Sequence, residues 1–404
     1  MLSVAEARRR ILDAMPLLPA EQVGLLDGLG RVLAEDLESR RAQPPMAVSA
    51  MDGYAVRAAD VATVPVQLRI VGEVPAGSSH DGTVGAGEAV RIFTGAPVPD
   101  GADAIVIQED TDRDGDRVTV KEAAPLGQFV RPKGLDFSAG DVLLRAGRVL
   151  TARDVGLAAA MNRAWLMVRR RPRVAILATG DEIVMPGDPV GPNQIVSSNG
   201  LALAATVRAL GGEPVLLGIA PDDREALGAM ADGARGADLL LTTGGASVGD
   251  HDLVQSVLGE RGLDVDFWRI AMRPGKPLMF GQIGGVPMLG LPGNPVSTLV
   301  CAMLFVYPAL ARMAGSTDDL PVLRSARLAV PLPANDRRED YLRATMVVGD
   351  DGRCTVTPFR KQDSSMMAPL ARAGCLVLRP PHAPAASEGD TVACIPLPEG
   401  VLRP

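Results

Sequence analysis

Between residues 173 and 272 the chain alternates short apolar runs with longer amphipathic ones. In order they read RVAILATG, LALAATVRAL, PVLLGIAP, DDREALGAMADGA, LLLTTGG, DLVQSVLGE and VDFWRIAM. No other feature constrains the fold as strongly. Parallel strands need a long crossover between them, and a helix supplies it, so strand–helix alternation predicts a parallel sheet covered by helices on both faces. Ligands of such sheets bind beyond the carboxyl ends of the strands. Three glycine- and hydroxyl-rich stretches fall at those ends, at 179–182, 242–252 and 290–297.

The flanking sequence follows a different period. Residues 1–40 read as a helix with short connections, and Ser3 with Glu6 forms a capping box. From 41 to 139 short β-like runs (VQLRIVG, AVRIFTG, DAIVIQED, RVTVKE) are separated by Gly, Asp and Pro. Helix returns at 151–162, where Thr151 and Asp154 give a start signal. A β segment between helical pieces predicts an inserted domain, with 1–40 and 140–170 as the two parts of one linker domain. The α/β domain then spans 171–317. From 318 to 404 the runs RLAVPL, RATMVVG, CTVTPF, CLVLRP and TVACIPL, with proline-rich joints, predict a small barrel or sandwich. A chain of 404 residues exceeds one core, which agrees with several domains.

Composition narrows the partners. The net charge of −7 argues against nucleic acid or an acidic membrane, though a small anion needs only a few local cations. Four cysteines without C-x-x-C spacing and three scattered histidines argue against a zinc site, a disulfide framework or a Ser–His–Asp triad, and fit a reducing cytoplasm. The basic amphipathic N-terminus resembles a presequence, but Glu6 and Asp13 oppose that reading. The most apolar helix, 296–313, is interrupted by Pro308 and does not read as a membrane span.

The stretch TTGGASVGDHD, 242–252, is the barest of the strand-end loops. It fails as a dinucleotide fingerprint because Ala246 replaces the second glycine, and as a P-loop because Asp250 stands where lysine is required. Acids recur at comparable ends: Asp181 and Glu182 in ATGDE, Asp222 and Asp223 in APDD. Helix capping explains a single acid as well as chemistry does, but clustered carboxylates suit a hard cation on a phosphate. Positive charge comes from RPGKP, with Arg273 and Lys276. In GLPGNPVS, Ser297 stands at a helix start that favours an anion. Asp52 in SAMDGYAV and Thr94 in RIFTGAPVP lie on turns of the β segment.

SAMDGYA, RIFTGAPVP, ATGDE, GGASVGDHD, RPGKP and GLPGNPVS, in this order, closely resemble the MoeA family, which includes the C-terminal part of gephyrin. The resemblance spans nearly the whole chain. It implies a multidomain α/β plus β fold: a helical and extended linker domain, an inserted β-rich domain, a central molybdopterin-binding α/β domain and a C-terminal β-barrel. It implies the last step of molybdenum cofactor synthesis, Mg²⁺-dependent insertion of molybdate into adenylylated molybdopterin with release of AMP. It implies a cytoplasmic homodimer whose sites combine residues of both chains, with transient contacts to the adenylyltransferase and to downstream cofactor-handling proteins.

Residue by residue, the resemblance puts the pterin nucleotide against Gly244, Gly245, Ser247, Gly249, Pro292, Asn294, Arg131 and Asp136. Glu182, Asp222 and Asp252 hold Mg²⁺ or orient water, and Asp52 and Thr94 arrive from the second chain. Molybdate falls to Arg273, Lys276, Ser297, Arg343 and Ser364. The sequence also departs from the pattern. Arg273 stands where the family usually has Lys, Leu135 replaces a frequent acid, Ala47 and Val48 replace a polar pair, and Asp363 stands where Gly is common. Two other readings differ in what they require. The preceding adenylyltransferase is normally the α/β domain alone, and a gephyrin-like scaffold relies on extra regions absent from this sequence.

Overall fold

The computed structural model describes residues 1–244, 253–317 and 320–397 of the chain. At its centre is a six-stranded sheet ordered Glu213–Ala220, Arg173–Thr179, Leu239–Thr243, Val286–Leu291, Met279–Ile283, Leu263–Trp268. The first four strands run parallel. The last two pair antiparallel, unlike the wholly parallel sheet the alternation predicts for VDFWRIAM. Gly284 and Gly285, at φ 56° and 83°, close a two-residue hairpin that reverses the chain before Val286.

Both faces of this sheet are covered, as buried strands with few polar residues require. Val174, Ile176, Leu241 and Leu289 pack on one side with Leu203, Val300 and Phe305. Ala175, Leu177, Leu240 and Met288 pack on the other with Leu227, Val254 and Leu258. The helix Asn199–Ala209 carries the chain from the Arg173–Thr179 strand to one side, and Arg224–Ala231 then carries it back to Leu239–Thr243. The crossovers therefore diverge between the ends of Thr179 and Thr243, which is where such sheets bind ligands.

The apolar helix after Leu291 consists of Pro295–Cys301, a π-helical turn Ala302–Val306, and Tyr307–Met313. Pro308 lacks the N–H that a regular turn would donate back, which accounts for the irregularity. The span Pro295–Met313 is long and apolar enough to cross a membrane, but 78% of its most apolar window is buried inside the protein, as in a core helix.

The first helix, Val4–Ala14, begins at Ser3, whose hydroxyl accepts from the Glu6 N–H at 3.2 Å. It buries Val4, Ala7 and Ile11 in the same core as Phe305 and Met313. The remainder of the linker has a separate core around Leu33, Leu144, Met161 and Leu166. Both its parts contribute: Ala20–Gly24 pairs with Trp165–Arg169, and Leu37–Glu38 with Val142–Leu144. Thr151 and Asp154 form the complete capping box of the helix Ala152–Ala160.

Between these parts lies a six-stranded sheet ordered Ala104–Ile107, Gly53–Val56, Glu88–Ile92, Val66–Val74, Arg117–Val120, Thr111–Asp114. At the other end of the chain, Glu339–Val348, Cys354–Pro358, Arg324–Leu328, Thr391–Pro396 and Cys375–Arg379 pair in a closed ring of five strands, the β-barrel. The short strand Met272–Arg273 of the central domain pairs with Glu339–Asp340, tying the barrel to the RPGKP turn.

Candidate functional site

Three of the parallel strands end together. Gly244, at φ 93°, lies so close to Thr179 that a Cβ would overlap the Thr179 carbonyl oxygen, so both conformation and space require glycine. Asn199 joins the neighbouring ends: its side-chain amide donates to the Thr243 hydroxyl at 2.9 Å and to the Gly293 carbonyl at 2.7 Å. Thr298 donates its hydroxyl back to Pro292 O at 2.5 Å and Asn294 O at 3.0 Å. The ends bearing Gly244 and the Pro292–Asn294 turn are thus one unit. Sequence reading missed Asn199, although a polar VSSN run before an apolar helix is a recognisable helix start. Gly245, Ser247, Gly249 and Asp252 lie outside the described residues.

Glu182 and Asp222 are exposed at two adjacent strand ends. Asp181 joins those ends, accepting the Asp222 N–H at 2.9 Å. Asp223 caps the helix Arg224–Ala231 through the Ala226 N–H at 2.8 Å, so of the APDD pair only Asp222 is left to face a ligand. Among the described residues no three acids, histidines or cysteines cluster as a metal cage. Exposed carboxylates from separate loops form an all-oxygen donor set, which suits Mg²⁺ shared with substrate phosphates and waters.

The barrel meets the start of the apolar helix. Asn294 donates its amide to the Ser364 hydroxyl at 2.7 Å, and the Val296 N–H donates to Ser364 O at 3.0 Å. Ser297 is buried one residue further on. Lys276 is exposed in the RPGKP turn, which packs on the same helix through a Cys301 thiol contact to Gly275 O at 3.9 Å. Asp363 turns its carboxylate to the N–H and hydroxyl of Ser365, at 2.9 and 2.7 Å, which hold it below the usual carboxylate range.

Two expected oxyanion ligands are engaged elsewhere. Arg343 is only 1% exposed, and its guanidinium donates to the carbonyls of Met366 (2.9 Å), Asp363 (2.9 Å) and Lys361 (3.4 Å) and to Gln362 Oε1 (3.3 Å). It braces the loop that carries Ser364, and these contacts favour a structural role for Arg343 over a direct contact to molybdate. Arg273 forks onto Asp340, with Nε at 2.9 Å from Oδ1 and Nη2 on Oδ2. Asp336 stands 3.7 Å away, and this acidic partnership, Asp340 first, raises the guanidinium above its ordinary pKa. Arg273 therefore joins two domains, whereas among the described residues Lys276 of the same turn is in no such pair.

The inserted sheet gathers a second group. Thr94 donates both its N–H and its hydroxyl to Asp52 Oδ1, each at 2.7 Å, and these donors, with the nearby Arg91 charge, hold the Asp52 carboxyl below its usual range. Arg91 lies over the rings of Tyr54 and Phe93, at 5.2 and 4.7 Å, and donates to Gly53 O at 2.9 Å. Arg131, exposed, sits on the strand Val130–Arg131 paired with Val48–Ser49, next to the Asp52 turn. Asp136, also exposed, donates its N–H to Gln43 O at 2.9 Å. Among the described residues no hydrogen bond joins this group to the strand-end loops within one chain.

Comparison with known proteins covers almost the whole sequence. Residues 2–162 match the MoeA N-terminal region (domain I and II), 175–312 a probable molybdopterin binding domain, and 325–397 the MoeA C-terminal region (domain IV). A molybdopterin molybdenumtransferase from Nostoc sp. is 37% identical over 98% of this chain and 94% of its own length. One from Haemophilus influenzae is 34% identical over 98% of both chains. Two crystal structures of MoeA from Pyrococcus horikoshii align with TM-scores of 0.85 and 0.84 at 34% and 28% identity, covering 98% of this chain and 99% and 100% of theirs. In sequence motifs, fold and full-length similarity alike, the chain belongs to the MoeA family of molybdopterin molybdenumtransferases, enzymes of molybdenum cofactor biosynthesis.

Proposed function

We propose that this protein inserts molybdate into adenylylated molybdopterin, releasing AMP, in a cytoplasmic homodimer with Mg²⁺. One observation carries the reading. The Asp52–Thr94 pair lies on the inserted domain, and among the described residues no hydrogen bond ties it to the strand ends where Gly244, Asn294 and Ser364 converge. An active site using both groups is completed when the inserted domain of one protomer meets the α/β domain of another.

In this reading the pterin phosphate bonded to AMP lies along Gly244 and the Pro292–Asn294 turn, where Gly244 and Gly293 carry no side chain. Arg131 and Asp136 bind the nucleotide's far side from the second protomer. Asp52, held ionised by Thr94, orients the water that opens the phosphoanhydride, and AMP leaves. Lys276, Ser297 and Ser364 hold the tetrahedral molybdate oxyanion by charge-assisted and hydroxyl contacts. Glu182 and Asp222, with Asp252, would hold Mg²⁺, which when bound offsets phosphate charge. The two dithiolene thiols then bond to molybdenum, one Mo–O bond breaks, and the displaced oxygen leaves with the two thiol protons as water; the product passes to cofactor-handling proteins.

Subunit exchange tests the shared site. Asp52→Asn and Glu182→Gln, each inactive alone, should regain activity when mixed, because one class of mixed site carries neither lesion. Verified exchange without recovery would refute the shared site.

A further inference from the structure

Phe129 is the bulky residue of the chain that adopts a left-handed backbone beside the Asp52 turn, at φ 54°. The other described non-glycine residues with positive φ are Asn162, Arg269 and His382. The conformation is imposed on both sides of the residue. Gln128 O accepts the Ile105 N–H at 2.9 Å, Phe129 O accepts the Ala50 N–H at 2.8 Å, and the Val130 N–H returns to Gly127 O at 3.1 Å. Asparagine or glycine would sit there without the steric cost a phenylalanine meets. The residue is not buried in exchange, for it stays 37% exposed. Exposed aromatics are scarce in a chain with seven Phe, three Tyr and two Trp.

Its surroundings supply the reason. Ala50 precedes Asp52 by two residues, and the strand leading from Phe129 carries Arg131. A part-exposed ring whose backbone is fixed on both sides, beside the Asp52 turn and two residues before Arg131, is suited to a planar heteroaromatic ring. We infer that Phe129 is a stacking platform for a flat heterocycle of the substrate, pterin or adenine. This assignment rests on the proposed reading of the site and adds a residue and a contact to it.

The test compares Phe129→Asn and Phe129→Trp in the full-length protein, with adenylylated molybdopterin as probe and AMP and 6-hydroxymethylpterin as separate competitors. Phe129→Asn relieves the backbone and should raise the unfolding midpoint by roughly 1–4 °C. It should at the same time weaken binding of the probe roughly 5- to 100-fold, while Phe129→Trp keeps affinity near the original. Gain in stability with loss of affinity is a combination that a merely structural residue does not give. If the variant loses affinity for 6-hydroxymethylpterin and not for AMP, the stacked ring is the pterin, and the reverse pattern makes it the adenine.

Wild-type affinity in Phe129→Asn overturns the inference, as does a weaker dimer by sedimentation, which would make the ring an interface contact. Probe binding is read without turnover. An active-site reading that fails for lack of AMP release is therefore distinguishable from a failed platform, whereas a wild-type protein that binds no probe defeats both.

Discussion

Thr94 donates two hydrogen bonds to a single oxygen of Asp52, each at 2.7 Å, across 42 residues of sequence. The pair fixes the carboxylate and holds it ionised. Asp52→Asn should fold normally and lose most AMP release, since the amide lacks the charge that Thr94 is arranged to stabilise. Near-normal turnover would leave Asp52 as a turn residue.

The same pair has a pH consequence. The Thr94 hydroxyl, then its N–H, and then the Arg91 charge depress the Asp52 pKa in the folded protein. A depressed carboxyl contributes stability that is complete above its unfolded value and is lost as pH falls through the lower folded value. Thr94→Val removes the largest of these causes. Its acid-side loss of activity should begin at a higher pH than in the original, measurable as a shifted acid limb, whereas an unshifted limb would separate Thr94 from the Asp52 charge.

Arg343 makes a different prediction from the one its motif implies. Arg343→Ala leaves the carbonyls of Lys361, Asp363 and Met366 without their buried donor. Stability should fall by about 3–5 kcal/mol, read by thermal unfolding, with pterin and molybdate functions declining together. Arg343→Lys should rescue little, because one ammonium cannot reproduce the fork. A stable Arg343→Ala protein needing only more molybdate would restore the oxyanion assignment.

The two basic residues of RPGKP should separate in the same way. Lys276→Ala should raise the molybdate requirement roughly 10- to 100-fold while pterin-nucleotide binding stays close to normal. Arg273→Ala should instead destabilise the protein by about 1–3 kcal/mol, because the Asp340 side chain, 5% exposed, loses its partner. A double-mutant cycle with Asp340→Asn should show coupling between the two, and additive effects would contradict the domain clamp.

These cases show how far the sequence could be read. The strand-end loops, the capping box of Thr151 and Asp154, and the β character of the flanking regions were legible because each is a local pattern of period, turn residue and cap. Arg343 and Arg273 were not. A motif shows that an arginine is present, but which carbonyls or acids face it depends on pairings across 18 to 67 residues. The first helix likewise signals its start through Ser3, but the apolar stripe of Val4, Ala7 and Ile11 does not say which domain it meets. The antiparallel edge of the central sheet was signalled by Gly284 and Gly285, a hairpin cue overshadowed by the alternation around it.

AMP release by the purified protein, followed with adenylylated molybdopterin in the presence and absence of molybdate, tests the central claim most directly. The account predicts that AMP appears with Mg²⁺ and molybdate together, at a rate that Asp52→Asn and Lys276→Ala each depress. AMP release indifferent to molybdate, or unaffected by both substitutions, would contradict it.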